Sequence, residues 1–236
     1  MSQAAADWLI KRLKLKPSSL LCLATGATPM RAYEIFVSRT KEQPAICEEL
    51  RVIKLDEWGG IELARPATCE SFLRRVVIDP LQLSSRYEAF QSQPTDIPSE
   101  CSRIEQWLRA NGPIDICVLG LGLNGHLGFN EPASMLHAHA HRAELSETSL
   151  THSMIQSEPV KPTFGLTLGM ADLMQSKEIL LLVSGKAKRE PLRQILEGGI
   201  TTQFPATFLN LHPNVTLLCD EEAGQGVVHT EDYDQE

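Results

Sequence analysis

The sequence predicts an α/β protein in which helices cover both faces of a mostly parallel sheet. Five short apolar runs are each long enough for one buried strand; they occupy residues 20–25, 50–55, 115–120, 179–183 and 215–219. Segments with helical periodicity lie between these runs. Such alternation is typical of parallel strands joined by helical crossovers. The chain has 236 residues, of which 42% are hydrophobic, and this is enough for a single domain, 1–236, with its own core.

The first half of the chain shows this alternation clearly. Residues 2–15 carry apolar side chains at helical spacing and end before a proline, so they predict a helix. The run 19–25 predicts a strand, and a loop of small residues leads from it into a helix in MRAYEIFVSRT. The run 50–55 predicts the next strand. Weaker signals predict a helix around 69–77, a strand at 86–90, a polar loop at 91–99 and a helix at 100–110.

The second half begins with the third buried strand and a long irregular segment. Residues 163–174 predict a strand and a helix that continue the same sheet. The strand at 179–183 leads into a helix that opens at SGKAKR. A helix and turn at 204–214 precede the last strand, at 215–219. The tail from Asp220 is acidic and polar and lacks apolar periodicity.

Composition excludes several classes of protein. The formal net charge is −8 and no Lys/Arg-rich run occurs, so nucleic acid is not expected as a partner. No apolar run reaches the length of a membrane span, and the N-terminus has no basic start followed by an apolar core. Six cysteines without C-x-x-C spacing favour a reduced environment over a disulfide scaffold. We therefore expect a cytoplasmic protein that does not contact a membrane.

Residues 114–132, IDICVLGLGLNGHLGFNEP, combine an apolar strand with glycines and candidate acid–base side chains. A buried strand leads into three glycines, where the backbone can turn tightly. The titratable His126 and the carboxylate of Glu131 follow, with Asn124 beside them. Open α/β sheets bind their ligands at this end of the strands. An imidazole and a carboxylate here predict a catalytic or binding site.

Two other interpretations of this stretch remain open. The glycines at 120, 122 and 125 match G-x-G-x-x-G, which binds dinucleotides when a long helix begins at the last glycine. Pro132 comes seven residues after Gly125 and argues against such a helix. The other interpretation is a plain turn that carries a surface histidine.

Three further strand ends carry polar side chains. The first leads into Thr25, Gly26, Ala27 and Thr28, where free N–H groups, a helix dipole and a hydroxyl attract anions. The second leads into Asp56, which suits either a turn cap or a general base. The third leads into Lys186 and Lys188, which suit a phosphate or a solvated run of charge. For the first of these strand ends, the alternative is an ordinary strand-to-helix turn.

The string GLNGHLGFNEP resembles the motif of the glucosamine-6-phosphate deaminases and galactosamine-6-phosphate isomerases, in which glycines and a histidine precede FNEP. The related 6-phosphogluconolactonases share the glycines and the histidine but usually lack FNEP. The resemblance covers roughly residues 18–220 and is closest to the galactosamine-6-phosphate isomerase branch. It implies the modified Rossmann-like fold of the deaminase and 6-phosphogluconolactonase group.

The resemblance also implies an activity: aldose–ketose isomerisation of a 2-amino-2-deoxyhexose 6-phosphate with loss of ammonia. Asp56 would move a proton between two sugar carbons, and His126, oriented by Glu131, would open the sugar ring. Asn124 stands where many glucosamine-6-phosphate deaminases carry Asp, and a similar Asn occurs in the galactosamine branch. Neither a metal nor an organic cofactor is implied.

The expected contacts to the sugar phosphate come from the same resemblance. They are Thr25, Gly26, Ala27, Thr28, Glu57, Gly125 and Lys188, with Lys186 as the alternative to Lys188. An arginine that many relatives use for the phosphate is absent near 153–156. His152 is expected to replace it in part.

The segment 133–162 is the least regular part of the sequence. It lies next to the glycine stretch and is rich in hydroxyls, so we expect a lid there. His137, His139 and His141 alternate and would share one face of a strand. No carboxylate falls at a ligand spacing, so a metal site is not assigned.

Two other functions, a lactonase and a sensor, are alternatives to the amino-sugar-phosphate isomerase. A 6-phosphogluconolactonase would use the same phosphate loop and histidine to hydrolyse an ester, and FNEP argues against it. A non-catalytic sugar-phosphate sensor is disfavoured because Asp56, His126 and Glu131 are all present. The expected partner is a small sugar phosphate, and a homo-oligomer is compatible with the resemblance.

Overall fold

A computed structural model describes residues 1–227 of the chain. Residues 228–236, which include most of the acidic tail predicted from Asp220, lie outside the described residues. Within the described part, none of the helices is long and apolar enough to cross a membrane.

The described chain alternates between helices and strands, as the sequence predicted. The helices are α1 Ser2–Leu15, α2 Ala27–Lys41, α3 Cys69–Leu73, α4 Ile97–Asn111, α5 Glu147–Leu150, α6 Ser153–Gln156, α7 Met170–Met174, α8 Arg189–Glu197 and α9 Glu221–Gly224. The strands are β1 Leu20–Leu23, β2 Arg51–Lys54, β3 Asp56–Gly59, β4 Tyr87–Glu88, β5 Ile116–Gly120, β6 His141–Ala143, β7 Phe164–Thr167, β8 Glu178–Val183 and β9 Val215–Cys219. Shorter helical turns are the 3₁₀ segments Pro44–Cys47, Ser84–Arg86, Lys186–Lys188 and Pro205–Leu211 and the π-helical turn Arg74–Ile78.

Six strands form one parallel sheet in the order β4-β2-β1-β5-β8-β9. From β1 the chain builds outward through β2 and β4, and then returns to build β5, β8 and β9 on the other side of β1. This is the order of a Rossmann-like doubly wound sheet. The order reverses between β1 and β5, and such a reversal leaves a crevice at the carboxyl ends of the two strands.

Strand β1 shows why helices must cover both faces of this sheet. Leu20 and Cys22 point to one face, Leu21 and Leu23 point to the other, and all four are buried. The first pair packs in a cluster with apolar side chains of α4, α7 and α8. The second pair packs with side chains of α1, α2 and α3. A strand with no polar side is stable only when both of its faces are covered.

A second, antiparallel sheet corrects the prediction for residues 163–174. Strand β7 pairs with β3 and β6 in a separate sheet of order β3-β7-β6 and does not continue the main sheet. Asp56 begins β3 and lies opposite Thr167 of β7. Because β3 and β7 are far apart in the sequence, the local sequence of neither strand predicts their pairing.

Helix α4 also begins earlier than residue 100, where the sequence predicted its start. The carboxylate of Asp96 accepts a hydrogen bond from the backbone N–H of Ser99 at 2.9 Å and so caps the helix. Pro98 lies in the first turn, where its missing N–H costs nothing. The end of the predicted polar loop at 91–99 is therefore the first turn of α4.

A buried charge cluster joins β2, β3 and α3. Nζ of Lys54 donates to Glu57 Oε2 at 2.7 Å, to Glu70 Oε2 at 2.9 Å and to the carbonyl oxygen of Phe90 at 3.1 Å. The side chains of Lys54 and Glu57 are completely buried, and that of Glu70 is 6% exposed. Buried charges are tolerated only when they are paired and hydrogen-bonded, so the three groups depend on one another.

We expect Lys54→Met to lower the free energy of unfolding by about 3–5 kcal/mol, because it leaves two buried carboxylates without their shared cation. Arg31→Ala is the control. It breaks an ion pair with Glu34 whose side chains are 70% and 47% exposed, and should cost less than about 1 kcal/mol. Urea denaturation followed by circular dichroism measures both. Equal losses in the two variants would contradict a stabilising role for the cluster.

Candidate functional site

A cavity of about 340 Å³ lies at the carboxyl ends of the central strands. It follows from the strand order, because the segments after β1, β2, β5 and β8 all meet at this edge of the sheet. The residues that line it are 24–29, Leu55, Asp56, Trp58, Cys69, 120–123, His126, Gly128, Phe129, Thr148, Ser149, 151–154 and Lys188.

One end of the cavity is the start of α2. Gly26 caps this helix with a φ of +107°, a conformation that L side chains rarely adopt. The hydroxyl of Thr28 lies 2.8 Å from the hydroxyl of Ser184, which joins the loop after β1 to the loop after β8. The first N–H groups of a helix have no intrahelical acceptors and carry the positive end of its dipole. This end of the cavity can therefore hold an anion.

The structure separates the two candidate lysines. Lys188 lines the cavity, and its Nζ donates to the carbonyl oxygen of Leu121 at 2.5 Å. Burial lowers the pKa of Lys188 from its usual value. Lys186 is exposed and lies outside the cavity lining, and its backbone N–H bonds Glu222 at 3.3 Å. Lys186 is thus not placed to contact a ligand in this cavity.

His152 lines the cavity next to Gly26. Its Nδ1 accepts a hydrogen bond from the backbone N–H of Met154 at 3.2 Å, so the neutral ring carries its proton on Nε2. Nε2 lies near the start of α2, 3.9 Å from where a Cβ on Gly26 would be. Burial lowers the pKa of His152, and the nearby His126 and Lys188 lower it further. His152 can thus offer a neutral N–H donor to a ligand.

Asp56 is a carboxylate in an unusual environment. It is 8% exposed, it lines the cavity, and its Oδ1 has no hydrogen-bond partner among residues 1–227. Burial, followed by the charge of Glu57, raises the pKa of Asp56 to about 7, although Cys69 and Lys54 oppose the rise. A carboxylate of this kind can both accept and return a proton near neutral pH.

His126 and Glu131 lie side by side in the loop after β5. Nδ1 of His126 lies 3.4 Å from Oε2 of Glu131 but is not aligned for a hydrogen bond, so the contact is mainly electrostatic. Burial alone would raise the pKa of Glu131, but His126, Ser149 and Asn124 lower it to about 2. Glu131 does not line the cavity and supports His126 from behind.

Hydroxyls of the irregular segment hold Glu131, which the sequence did not predict. Oε1 of Glu131 accepts hydrogen bonds from the hydroxyls of Ser146, at 3.1 Å, and Ser149. Oε2 accepts one from the side-chain amide of Asn124 at 2.8 Å. Asn124 therefore acts as a donor to Glu131, and the segment around α5 is tied to the glycine loop.

Two more cavity residues were missed by the sequence analysis. The indole N–H of Trp58 is buried without an acceptor among residues 1–227, and its ring packs on Phe129 with centroids 4.5 Å apart. The thiol of Cys69 accepts a hydrogen bond from the hydroxyl of Thr25 at 3.2 Å. Neither residue type marks a site by itself, so nothing in the local sequence singled them out.

The structure corrects the expected ligand contacts of Glu57 and Gly125. Both oxygens of Glu57 are occupied by protein donors behind the cavity wall, and this side chain is completely buried. Gly125 also lies outside the cavity lining. A Cβ on Gly125 would lie 2.4 Å from the ring of Phe204, and its φ is +82°, so it serves the turn itself.

No α-helix of the described chain begins at Gly125. After Gly125 the next α-helix in the described chain is α5, which begins only at Glu147, so the glycines do not open a dinucleotide-binding helix.

His137 and His141 stack with ring centroids 4.3 Å apart, and His139 bonds Asp172 at 2.8 Å. Among residues 1–227 no cluster of three His, Cys, Asp or Glu is arranged to hold a metal.

Comparison with known proteins identifies the family. Residues 1–218 match the family described as glucosamine-6-phosphate isomerases/6-phosphogluconolactonase. The chain belongs to this family. The fold class and the family expected from the sequence are thereby confirmed.

Individual members of the isomerase/6-phosphogluconolactonase family resemble the chain along nearly its whole length. It is 37% identical over 219 residues to an Escherichia coli (strain K12) protein named "Putative deaminase AgaI", covering 92% of this chain and 87% of that protein. It is 35% identical over 227 residues to a glucosamine-6-phosphate deaminase of Geobacillus sp. (strain WCH70), covering 94% and 90%. A solved monomeric glucosamine-6-phosphate deaminase superposes with a TM-score of 0.87 at 35% identity, covering 94% and 93%. The chain is thus an enzyme of this family.

We expect Gly122→Ala to displace the His126 ring by about 1 Å, because a Cβ there would lie 2.5 Å from it, inside normal carbon contact distance. Gly199→Ala is the control, since a Cβ on Gly199 meets nothing within 4 Å. NMR spectra of the histidine rings should show a shifted His126 signal only in the first variant. An unmoved signal in Gly122→Ala would mean that the loop yields instead of the ring.

Proposed function

We propose that this enzyme converts a 2-amino-2-deoxyhexose 6-phosphate and water into a ketohexose 6-phosphate and ammonia. Galactosamine 6-phosphate is the preferred substrate in this proposal, with glucosamine 6-phosphate as a second. The observation that carries the proposal is Asp56, a buried carboxylate with an unpartnered oxygen and a pKa of about 7. An acid–base group with this pKa suits a proton that must be taken from one carbon and returned to another.

In the proposed reaction the sugar first opens from its ring form. Nε2 of His126 would accept and return the ring proton while Glu131 stabilises the charged imidazole from the Nδ1 side. Asp56 would then remove the C2 proton, forming an enolamine, the amino counterpart of an enediol, and deliver that proton to C1. This leaves an imine at C2. Water would add to the imine carbon, and cleavage of the C2–N bond would release ammonia and leave the C2 ketone. Ester hydrolysis requires no base at C2, so the Asp56 environment favours the isomerase over the lactonase alternative.

The phosphate of the substrate would occupy the start of α2. The helix N-terminus, the Thr28 hydroxyl and Lys188 would supply donors and positive charge. His152, next to Gly26, would add a neutral N–H donor. Binding energy from the phosphate can then orient the reacting carbons near Asp56. We also propose that residues 146–154, which cover this end, form the lid expected within 133–162.

The preference for the galacto sugar is supported by Asn124. This amide donates to Glu131 and cannot take a proton from the substrate, as an aspartate at the same position could. The same residue type occurs in the galactosamine branch of the family. The relatives named glucosamine-6-phosphate deaminase support the gluco sugar as the second substrate.

The experiment that tests the function compares three substrates. The enzyme is incubated with galactosamine 6-phosphate, glucosamine 6-phosphate or 6-phosphogluconolactone, and ammonia or acid release is followed. We expect ammonia from both amino sugars, faster with the galacto compound. Asp56→Asn should slow exchange of the C2 proton with solvent by about 10²–10⁴-fold while substrate affinity stays within about tenfold. Lactone hydrolysis without ammonia release would overturn the proposal.

A second prediction concerns the phosphate end of the cavity. Lys188→Ala should weaken the binding of inorganic phosphate by about 1.5–3 kcal/mol, the value of a charge-assisted hydrogen bond, and raise KM more than it lowers kcat. Lys186→Ala removes the same charge outside the cavity and should change binding by less than about 0.5 kcal/mol. Isothermal titration calorimetry measures both. If the Lys186 variant shows the larger loss, the assignment of the two lysines is reversed.

A further inference from the structure

The buried charge cluster of Lys54, Glu57 and Glu70 lies directly behind the proposed base, Asp56. Asp56 faces the cavity, whereas Glu57 follows it on β3 and points the other way, as neighbours on a strand do. None of the three cluster side chains lines the cavity. Their charges therefore act on Asp56 from inside the protein, where water screens them little.

Glu57 is held in one orientation. Its Oε1 accepts hydrogen bonds from the backbone N–H groups of Trp58, at 2.8 Å, and Cys69, at 3.0 Å. Its Oε2 accepts from Nζ of Lys54, at 2.7 Å, and from the N–H of Glu70, at 2.9 Å. Two donors on each oxygen are the arrangement of an ionised carboxylate. A fixed negative charge thus stands beside Asp56.

Lys54 limits the effect of that charge. Burial alone would lower the pKa of Lys54, but the carboxylates of Glu57 and Glu70 raise it above its usual value. Glu70 has a second cation, Arg74, whose Nε lies 2.6 Å from its Oε1. The cluster therefore holds one cation, Lys54, between two carboxylates, and Arg74 compensates the outer one. The inner carboxylate, Glu57, is the negative charge next to Asp56.

The other titratable groups packed around Asp56 on the protein side are uncharged near neutral pH, and the cavity side holds His126 and Lys188. Cys22 comes from β1, Tyr33 from α2 and Cys69 from α3, and burial raises the pKa of all three. Thr167 of β7, which lies opposite Asp56, cannot ionise. On the protein side, Glu57 and Lys54 are thus the nearby charges.

We infer that Glu57 is a positioning residue for the reaction: held by Lys54, it keeps Asp56 able to take and return a proton at neutral pH without touching the substrate. The inference rests on the proposed role of Asp56 as the base. It replaces the substrate contact expected for Glu57 from the sequence. Burial and the Glu57 charge act on Asp56 in the same direction, and Lys54 acts against them.

The test is a direct titration of Asp56 in the free enzyme. Carboxyl groups of aspartate are labelled with ¹³C, and Asp56→Asn identifies the Asp56 signal. Its midpoint should lie near pH 7 in the wild type and fall by about one pH unit in Glu57→Gln, which keeps an acceptor for Trp58 and Cys69 but removes the charge. In that variant Lys54 retains Glu70 and Phe90 as partners.

A double variant protects the test against loss of folding. Lys54→Met with Glu57→Gln leaves no unpaired cation and should lower the midpoint by less than Glu57→Gln alone, because Lys54 opposed the rise. The matched control is Asp115→Asn. Asp115 is also buried and paired with two lysines, Lys16 and Lys177, but it precedes β5, at the opposite end of that strand from the cavity. The control should leave the Asp56 midpoint unchanged.

The outcomes separate this inference from the proposed function. A midpoint equal to the wild-type value in every folded Glu57 variant overturns the inference, and so does an equal shift in Asp115→Asn. The titration needs no turnover. If the Asp56 midpoint shifts as expected but no amino sugar releases ammonia, the proposed reaction fails and the role of Glu57 toward Asp56 stands. If ammonia is released, the acid limb of the kcat/KM profile should move with the Asp56 midpoint.

Discussion

The parallel sheet reverses its strand order between β1 and β5, and the whole site depends on that reversal. Loops after neighbouring strands leave in opposite directions at this point, so a crevice opens where the strands end. The start of α2 follows β1, and the His126 loop follows β5. Asp56 and Lys188 arrive from β2 and β8, the next strands outward on either side. Residues far apart in the sequence thus share one cavity of about 340 Å³.

Two carboxylates in this region show how the environment divides acid–base roles. Asp56 is buried beside another negative charge, and its pKa rises to about 7. Glu131 is half-buried, yet His126, Ser149 and Asn124 bring its pKa down to about 2. The first can exchange a proton with a ligand, and the second stays ionised as support for an imidazole. Pairs of acidic groups pushed apart in this way mark their separate tasks.

The sequence predicted most of this arrangement because the key side chains lie at strand ends, and apolar runs locate strands well. It missed the sheet formed by β3, β6 and β7, because pairing between distant short strands leaves no local signal. The contact expected between Glu57 and the substrate is not supported by the structure, and the reason lies in β3, which the sequence did not predict. Adjacent residues of a strand face opposite sides, so Asp56 and Glu57 cannot both point into one cavity. The serines that hold Glu131 lie in an irregular segment, where spacing says little about contacts.

If residues 146–154 form the proposed lid, those serines would link closure of the cavity to the orientation of the His126 imidazole. Ser146 and Ser149 belong to the segment that covers the substrate end, and both donate to Glu131. If this segment swings away, Glu131 loses two donors and becomes free to turn from His126. Ring opening would then stop whenever bulk water could enter. In the proposed reaction, the open-chain amino sugar would then form only while the lid covers the cavity. Such closure protects a reactive intermediate from side reactions with bulk solvent.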